Sequence, residues 1–203
     1  DDEALKRAYR KILTTPLFVL YPILVMLIVV AKPLVICILG EKWLPCVPFI
    51  QILCFGAMWN PLTTINLNLL YVKGRTDLVL KLELIKKPIA FLILFSMIPL
   101  GIYWLCMGKA LYCLIAFSFN CYYTKKYLAL GILQQIWDIL PIMVYCIIMA
   151  ISIIWINFID ISDLSKVVMS FIFGSIIYTF VAWINNDTTL RNILQQVKQR
   201  IEQ

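Results

Sequence analysis

Long apolar stretches alternate with short polar segments along most of the chain. Each stretch approaches the roughly 20 apolar residues that a helix needs to cross a bilayer. The pattern predicts six transmembrane helices, at about residues 12–39, 47–71, 85–105, 106–124, 138–159 and 166–186. We therefore expect an all-α polytopic membrane bundle over residues 1–186.

The last part of the chain has a different pattern. In residues 187–203, apolar positions recur at helical spacing while basic residues occupy the other faces. This is typical of an amphipathic helix that lies in the membrane interface. We expect a C-terminal helix of this kind on the cytoplasmic surface.

The composition supports a membrane protein. Of the 203 residues, 63% are hydrophobic and only 14% are charged. A soluble domain has about 45–50% apolar and about 25% charged residues. This chain therefore has too little polar surface for a water-soluble globule, and it is too apolar for a disordered segment.

The distribution of charge predicts the topology. Most of the 18 Lys and Arg residues precede span one, separate spans two and three, or follow spans four and six. Basic segments of membrane proteins stay in the cytoplasm, so both chain ends are expected there, which requires an even number of spans. The net charge of +7 is thus explained without a nucleic-acid partner.

The second predicted span is the richest in polar residues. At about 100° per residue, Asn60, Thr63, Thr64 and Asn68 share one face, whereas Asn66 points elsewhere. Pro61 should bend this helix. Two interpretations remain: the face lines a hydrated cavity, or it forms hydrogen bonds with neighbouring helices.

Several other polar positions have two interpretations. Lys32 and Lys109 either snorkel to the headgroups or attract an anionic substrate, and the fourth span is long enough only if Lys109 snorkels. Glu83 and Asp138 are expected to form ion pairs with basic residues. Ser170 and Gly174, four residues apart, are typical of close helix packing.

The sequence lacks the usual signatures of catalysis. It has no His, its seven Cys form no CxxC pair, and it has no nucleophile elbow, P-loop or glycine-rich dinucleotide turn. We expect neither a metal site nor a cofactor. Transport or lipid handling is therefore favoured over an enzymatic function.

Two segments resemble a known transporter family. These are the stretch 39–53, which contains Gly40-Glu41-Lys42-Trp43, and the stretch 66–87, which contains Lys73-Gly74-Arg75-Thr76-Asp77. Together they are similar to polysaccharide flippases of the MOP superfamily, of the Wzx type. The resemblance extends over roughly residues 6–140, and beyond that only the hydropathy agrees.

The resemblance implies a function and a larger assembly. Such flippases have 12 to 14 helices in two halves and move undecaprenyl-pyrophosphate-linked oligosaccharide repeat units across the bacterial inner membrane. Six spans that end in the cytoplasm would form the C-terminal half, with the N-terminal half, the lipid-linked oligosaccharide and membrane lipids as partners. The alternatives are another MOP-type transporter (a peptidoglycan-precursor flippase or a small-molecule exporter), a membrane-embedded polysaccharide-processing enzyme, or a scaffold.

Overall fold

The computed structural model of the protein describes residues 2–128, 130–158 and 161–201, and these residues contain helices and no strand. The α-helices are α1 Asp2–Val29, α2 Ala31–Leu39, α3 Val47–Ala57, α4 Asn60–Val72, α5 Thr76–Met97, α6 Ile102–Leu128, α7 Ile132–Asn157, α8 Asp163–Ile184 and α9 Thr188–Ile201. Short 3-10 helices cover Glu41–Cys46 and Ile98–Leu100. The expectation of an all-α membrane bundle is confirmed for this part of the chain.

The long helices alternate in direction. Tyr9 near the start of α1 contacts Asn66 near the end of α4, and Gln51 in α3 contacts Ile28 near the end of α1. We call the end of the bundle where α1, α5 and α7 begin the basic end, because most Lys and Arg residues lie there. The other end is called the opposite end. The alternation brings the start of α1 and the end of α8 to the basic end.

Within the described residues, five segments are long and apolar enough to cross a membrane. They are Glu3–Val29, Glu41–Val72, Ile102–Tyr127, Ile132–Asn157 and Asp163–Ile184. Helix α5, which corresponds to the predicted third span, does not qualify because it carries the charged residues Lys81, Glu83, Lys86 and Lys87. The chain is thus a multi-pass α-helical membrane protein, and six crossings stay a prediction.

Two of the predicted spans are interrupted helices. The first divides at Val30, between α1 and α2, where Pro33 in the first turn of α2 has no N–H to donate. The second divides at residues 58–59, between α3 and α4, because Pro61 cannot donate to the Ala57 carbonyl. The helix is thus interrupted next to Asn60-Pro61, where a bend was expected.

The predicted boundary between the third and fourth spans, at residues 105–106, is wrong. Helix α5 already ends at Met97, and a 3-10 turn leads to Gly101, whose φ of +96° favours glycine. Residue 105 therefore lies in α6. The turn was missed because its neighbours are apolar. The predicted fifth span ends at residue 159, which lies outside the described residues.

Small residues allow close helix packing, as predicted for Ser170 and Gly174. Both are buried, and a Cβ added at Gly174 would lie 2.8 Å from Ile153 Cδ1 and 3.1 Å from Met26 Cε. Helix α8 therefore packs tightly against α7 and α1. In the same way, a Cβ at Gly56 would lie 3.0 Å from the backbone of Ala110, so α3 and α6 are in close contact.

The two carboxylates that were predicted to pair with basic residues do so. The Lys86 ammonium lies 2.6 Å from Glu83 Oε1, and Arg10 Nε lies 3.1 Å from Asp138 Oδ2. Lys86 is only 3% exposed, so its ion pair compensates for the loss of water around a buried cation.

The C-terminal helix α9 contacts α1. Leu190 and Ile193 on its apolar face pack against the hydrophobic core, while Arg191 is exposed. Protein therefore covers part of the face that was expected to enter the lipid interface. The attachment of this helix to a membrane surface stays a prediction.

Candidate functional site

The polar face predicted on span two lies on α4. Asn60, Thr64 and Asn68 are exposed, and Thr63 is half-buried at the margin of this face. We call these four residues the polar stripe. Because these residues recur at helical spacing, the stripe runs along α4 on the surface of the bundle. It is therefore accessible to neighbouring molecules.

The stripe retains part of its hydrogen-bonding capacity. The Thr63 and Thr64 hydroxyls donate to the carbonyls of Trp59 and Asn60, each at 3.1 Å. The Cys113 thiol approaches Asn60 Oδ1 at 3.4 Å. Among the described residues, Asn68 has no side-chain hydrogen-bond partner. Amide donors of Asn60 and Asn68 are therefore available to an outside ligand.

The opposite face of α4 holds a buried polar cluster that the sequence reasoning missed. Asn66 Oδ1 accepts hydrogen bonds from the Tyr9 hydroxyl at 2.5 Å, from the Thr124 hydroxyl at 2.7 Å and from Gln135 Nε2 at 3.0 Å. In return, Asn66 Nδ2 donates to Gln135 Oε1 at 3.1 Å, and the Cys121 sulfur lies 3.5 Å away. We call these five residues the amide cluster.

The amide cluster connects four helices near the basic end. Tyr9 belongs to α1, Asn66 to α4, Thr124 and Cys121 to α6, and Gln135 to α7. Asn66, Thr124 and Gln135 are at most 1% exposed. Since buried amides without partners are costly, this arrangement fixes the four helices relative to one another.

A sequence signal for the amide cluster did exist. Asn66 lies out of phase with the stripe, which pointed it toward the protein interior. Tyr9, Thr124 and Gln135 lie at similar distances from the ends of their own helices, at the same end of the bundle. Comparing how far each polar residue lies from the end of its helix would have suggested that Asn66 contacts Tyr9, Thr124 and Gln135.

The two lysines proposed for an anionic substrate do not join the stripe. Lys109 lines a cleft between α5 and α6, with its ammonium 5.4 Å from the centre of the Tyr112 ring, a cation–π distance. Lys32 lies on α2 at the opposite end, in a pocket with Lys166 and Asp163. Lys109 nevertheless lies one helical turn before Cys113, whose thiol approaches Asn60, whereas the pocket of Lys32 is lined by none of the stripe residues.

The turn between α4 and α5 is held by an exposed ion pair. Arg75 donates two hydrogen bonds to the Asp77 carboxylate, both at 3.0 Å, and these bonds hold the pKa of Asp77 below its ordinary value. The Arg75 guanidinium also lies 5.9 Å from the centre of the Tyr127 ring. The Gly74 φ of +67° permits the tight turn before this pair.

Known proteins resemble parts of this chain. A family model described as "Polysaccharide biosynthesis protein" matches residues 1–48. An uncharacterized membrane protein in the cps region of Klebsiella pneumoniae is 34% identical over 87 residues. Both matches support the resemblance to Wzx-type flippases and a role in polysaccharide biosynthesis.

The extent of these matches is limited. The alignment with the Klebsiella protein covers 42% of this chain and 18% of that protein. No solved structure matches the chain.

Proposed function

We propose that this chain forms the C-terminal half of a flippase that moves lipid-linked oligosaccharide repeat units across the bacterial inner membrane. The observation that carries the proposal is the polar stripe, which is exposed on a bundle whose other exposed surface in the membrane is largely apolar. Polar side chains facing lipid are costly, so a hydrated path or a second protein half is the expected neighbour. The similarity to polysaccharide biosynthesis proteins supports this choice of substrate class.

The chemistry of the substrate fits a path of this kind. A lipid-linked oligosaccharide has a polar glycan, an anionic pyrophosphate and an apolar tail. The glycan would pass along Asn60, Thr63, Thr64 and Asn68, whose amides and hydroxyl oxygens suit sugar hydroxyls, while the tail stays in lipid. An N-terminal half facing the stripe would complete the cleft, and the two halves would rock for alternating access.

The remaining predicted features belong to the same proposal. The basic end would face the cytoplasm, with the C-terminus on that side. Lys32 and Lys109 stay candidates for attracting the pyrophosphate, and Lys109 lies one helical turn before Cys113, whose thiol approaches Asn60 of the stripe. The protein would need no cofactor and would catalyse no covalent step.

An export assay with a matched pair of variants tests the proposal. In a strain that lacks the endogenous protein, we expect Thr64→Val combined with Asn68→Leu to leave lipid-linked repeat units on the cytoplasmic leaflet. Thr179→Val is the control, since Thr179 is also exposed and its hydroxyl also bonds within its own helix, at 2.7 Å from the Ser175 carbonyl. Normal export by the stripe variant would contradict the lining role.

A further inference from the structure

A polar pocket of about 390 Å³ opens at the opposite end of the bundle. It lies where α1 ends, α2 begins, α7 ends and α8 begins. Its lining includes Lys32, Pro33, Ile36, Asn157, Asp163 and Lys166. None of the polar-stripe residues lines this pocket, although Lys32 is also a candidate for attracting the substrate pyrophosphate.

Two lysines line this pocket. Four lysines lie toward the opposite end, Lys32, Lys42, Lys109 and Lys166, and two of them line the same cavity although they are far apart in the sequence. Among the described residues, neither Lys32 nor Lys166 makes an ion pair. Since two lysines and one carboxylate, Asp163, line the pocket, its net charge is positive and attracts an anion.

A buried acceptor and a helix start add to this arrangement. The Asn157 side-chain oxygen is buried, and it has no hydrogen-bond partner among the described residues. A rotation of the Asn157 side chain toward the pocket would let this oxygen accept a hydrogen bond from a ligand hydroxyl. Helix α8 begins at Asp163, which lines the pocket, and the Ser162 hydroxyl caps this helix start by accepting from the Ser165 N–H. Pro33 and Ile36 supply an apolar wall.

We propose that this pocket binds a phosphorylated lipid headgroup from the leaflet at the opposite end. Lys32 and Lys166 contact the phosphate, Asn157 accepts from a hydroxyl beside it, and the apolar wall contacts the start of the acyl chain. The phosphate comes either from an anionic phospholipid of the bilayer or from a polyprenyl pyrophosphate. The proposal does not require the flippase function, because the anionic phosphate that the lysines contact is present in both lipids.

Native mass spectrometry of the full-length protein in detergent tests the binding. The probe is phosphatidylglycerol, whose headgroup has a phosphate and two hydroxyls. In Lys32→Gln combined with Lys166→Gln, we expect binding at one site to weaken by at least about tenfold, since each lysine near a membrane surface contributes to the attraction for anionic lipid. Lys42→Gln, an exposed lysine at the same end but outside the pocket, is the matched control and should bind as the wild type does.

Two results would overturn the proposal. One is equal binding of phosphatidylglycerol to the double variant and the wild type. The other is an equal loss in Lys42→Gln, which would show a general surface attraction. Thermal melting of each variant, expected to be unchanged, separates a lost site from a misfolded protein.

Two further arms define the ligand. Asn157→Leu should weaken phosphatidylglycerol more than phosphatidic acid, which has no headgroup hydroxyl, and an equal effect on both lipids would contradict the role of Asn157. Undecaprenyl pyrophosphate is then added as a competitor. Displacement of phosphatidylglycerol assigns the site to both phosphate sources, and absence of displacement assigns it to the bilayer lipid, with either result upholding a phosphate site.

Discussion

The two faces of α4 carry the same kinds of side chain in opposite surroundings. On one face Asn66 is 1% exposed and exchanges hydrogen bonds with three other helices. On the other, Asn60, Thr64 and Asn68 are exposed, and the described residues leave part of their hydrogen-bonding capacity unused. The difference shows that two interpretations of the polar residues in span two are needed, hydrogen bonding between helices for one face and lining of a hydrated cavity for the other. The buried face holds the bundle together, and the exposed face is the candidate for substrate.

The largest effect on stability is expected for Asn66→Leu. This change removes the partner of the Tyr9 and Thr124 hydroxyls and of the Gln135 amide in a buried site, so the free energy of unfolding should fall by about 2–4 kcal/mol. The measurement is equilibrium unfolding in detergent or bilayers.

The matched control is Asn68→Leu, the same change two residues further along the helix. Since Asn68 is exposed, its substitution should alter the free energy of unfolding by no more than about 0.5 kcal/mol. Similar losses in both variants would remove the distinction between the two faces.

A second large effect is expected where α3 packs closely on α6. In Gly56→Val, the new side chain would meet the backbone of Ala110, since a Cβ alone would already lie 3.0 Å from its Cα. We expect a loss of about 1–3 kcal/mol in the free energy of unfolding. Ala57→Val, at the neighbouring half-buried position, is the control. Unchanged stability in Gly56→Val would refute the close contact.

A smaller effect is expected for Tyr9→Phe. The substitution keeps the ring and removes one of three donors to Asn66 Oδ1. Because the other two donors remain, the loss should be about 0.5–1.5 kcal/mol. A double-mutant cycle with Thr124→Val measures the coupling, and strictly additive losses would show that the two hydroxyls do not share an acceptor.

The smallest effect is expected for Asp77→Asn, which removes a charged pair, in contrast to the neutral hydrogen bonds of the amide cluster. The Arg75 hydrogen bonds lower the pKa of Asp77 from its ordinary value of 3.8, so this pair stabilises the fold above that pH, and its contribution is lost as the pH falls through the lower folded-state pKa. The difference in unfolding free energy between wild type and Asp77→Asn should therefore be small and should vanish in acid. The Asn66→Leu difference should not change over this range. A pH-independent Asp77→Asn difference would contradict the ion pair.

Hydropathy was sufficient for the fold class, because bilayer thickness sets the length of apolar helices. It could not locate the turn at residues 98–101, since Pro99 and Gly101 lie within one continuous apolar run. The helical periodicity correctly placed Asn66 on a different face of the helix from the stripe. Periodicity gives the direction of a side chain but not its partners. The partners of Asn66 come from α1, α6 and α7, and the placement of Lys32 and Lys166 in one pocket is equally non-local. Such contacts depend on how the helices pack against one another, and the local sequence pattern of each helix does not give this packing.

Cysteine accessibility in intact cells tests most directly whether the stripe lines a water-filled path. The background replaces the four cysteines that are not buried, Cys37, Cys46, Cys54 and Cys106. Thr64→Cys is compared with Ile176→Cys, an exposed position on α8 that lies equally far from the basic end of its helix. We predict that a water-soluble thiol reagent labels Thr64→Cys and leaves Ile176→Cys unmodified. Equal resistance of both positions to the reagent would contradict the account.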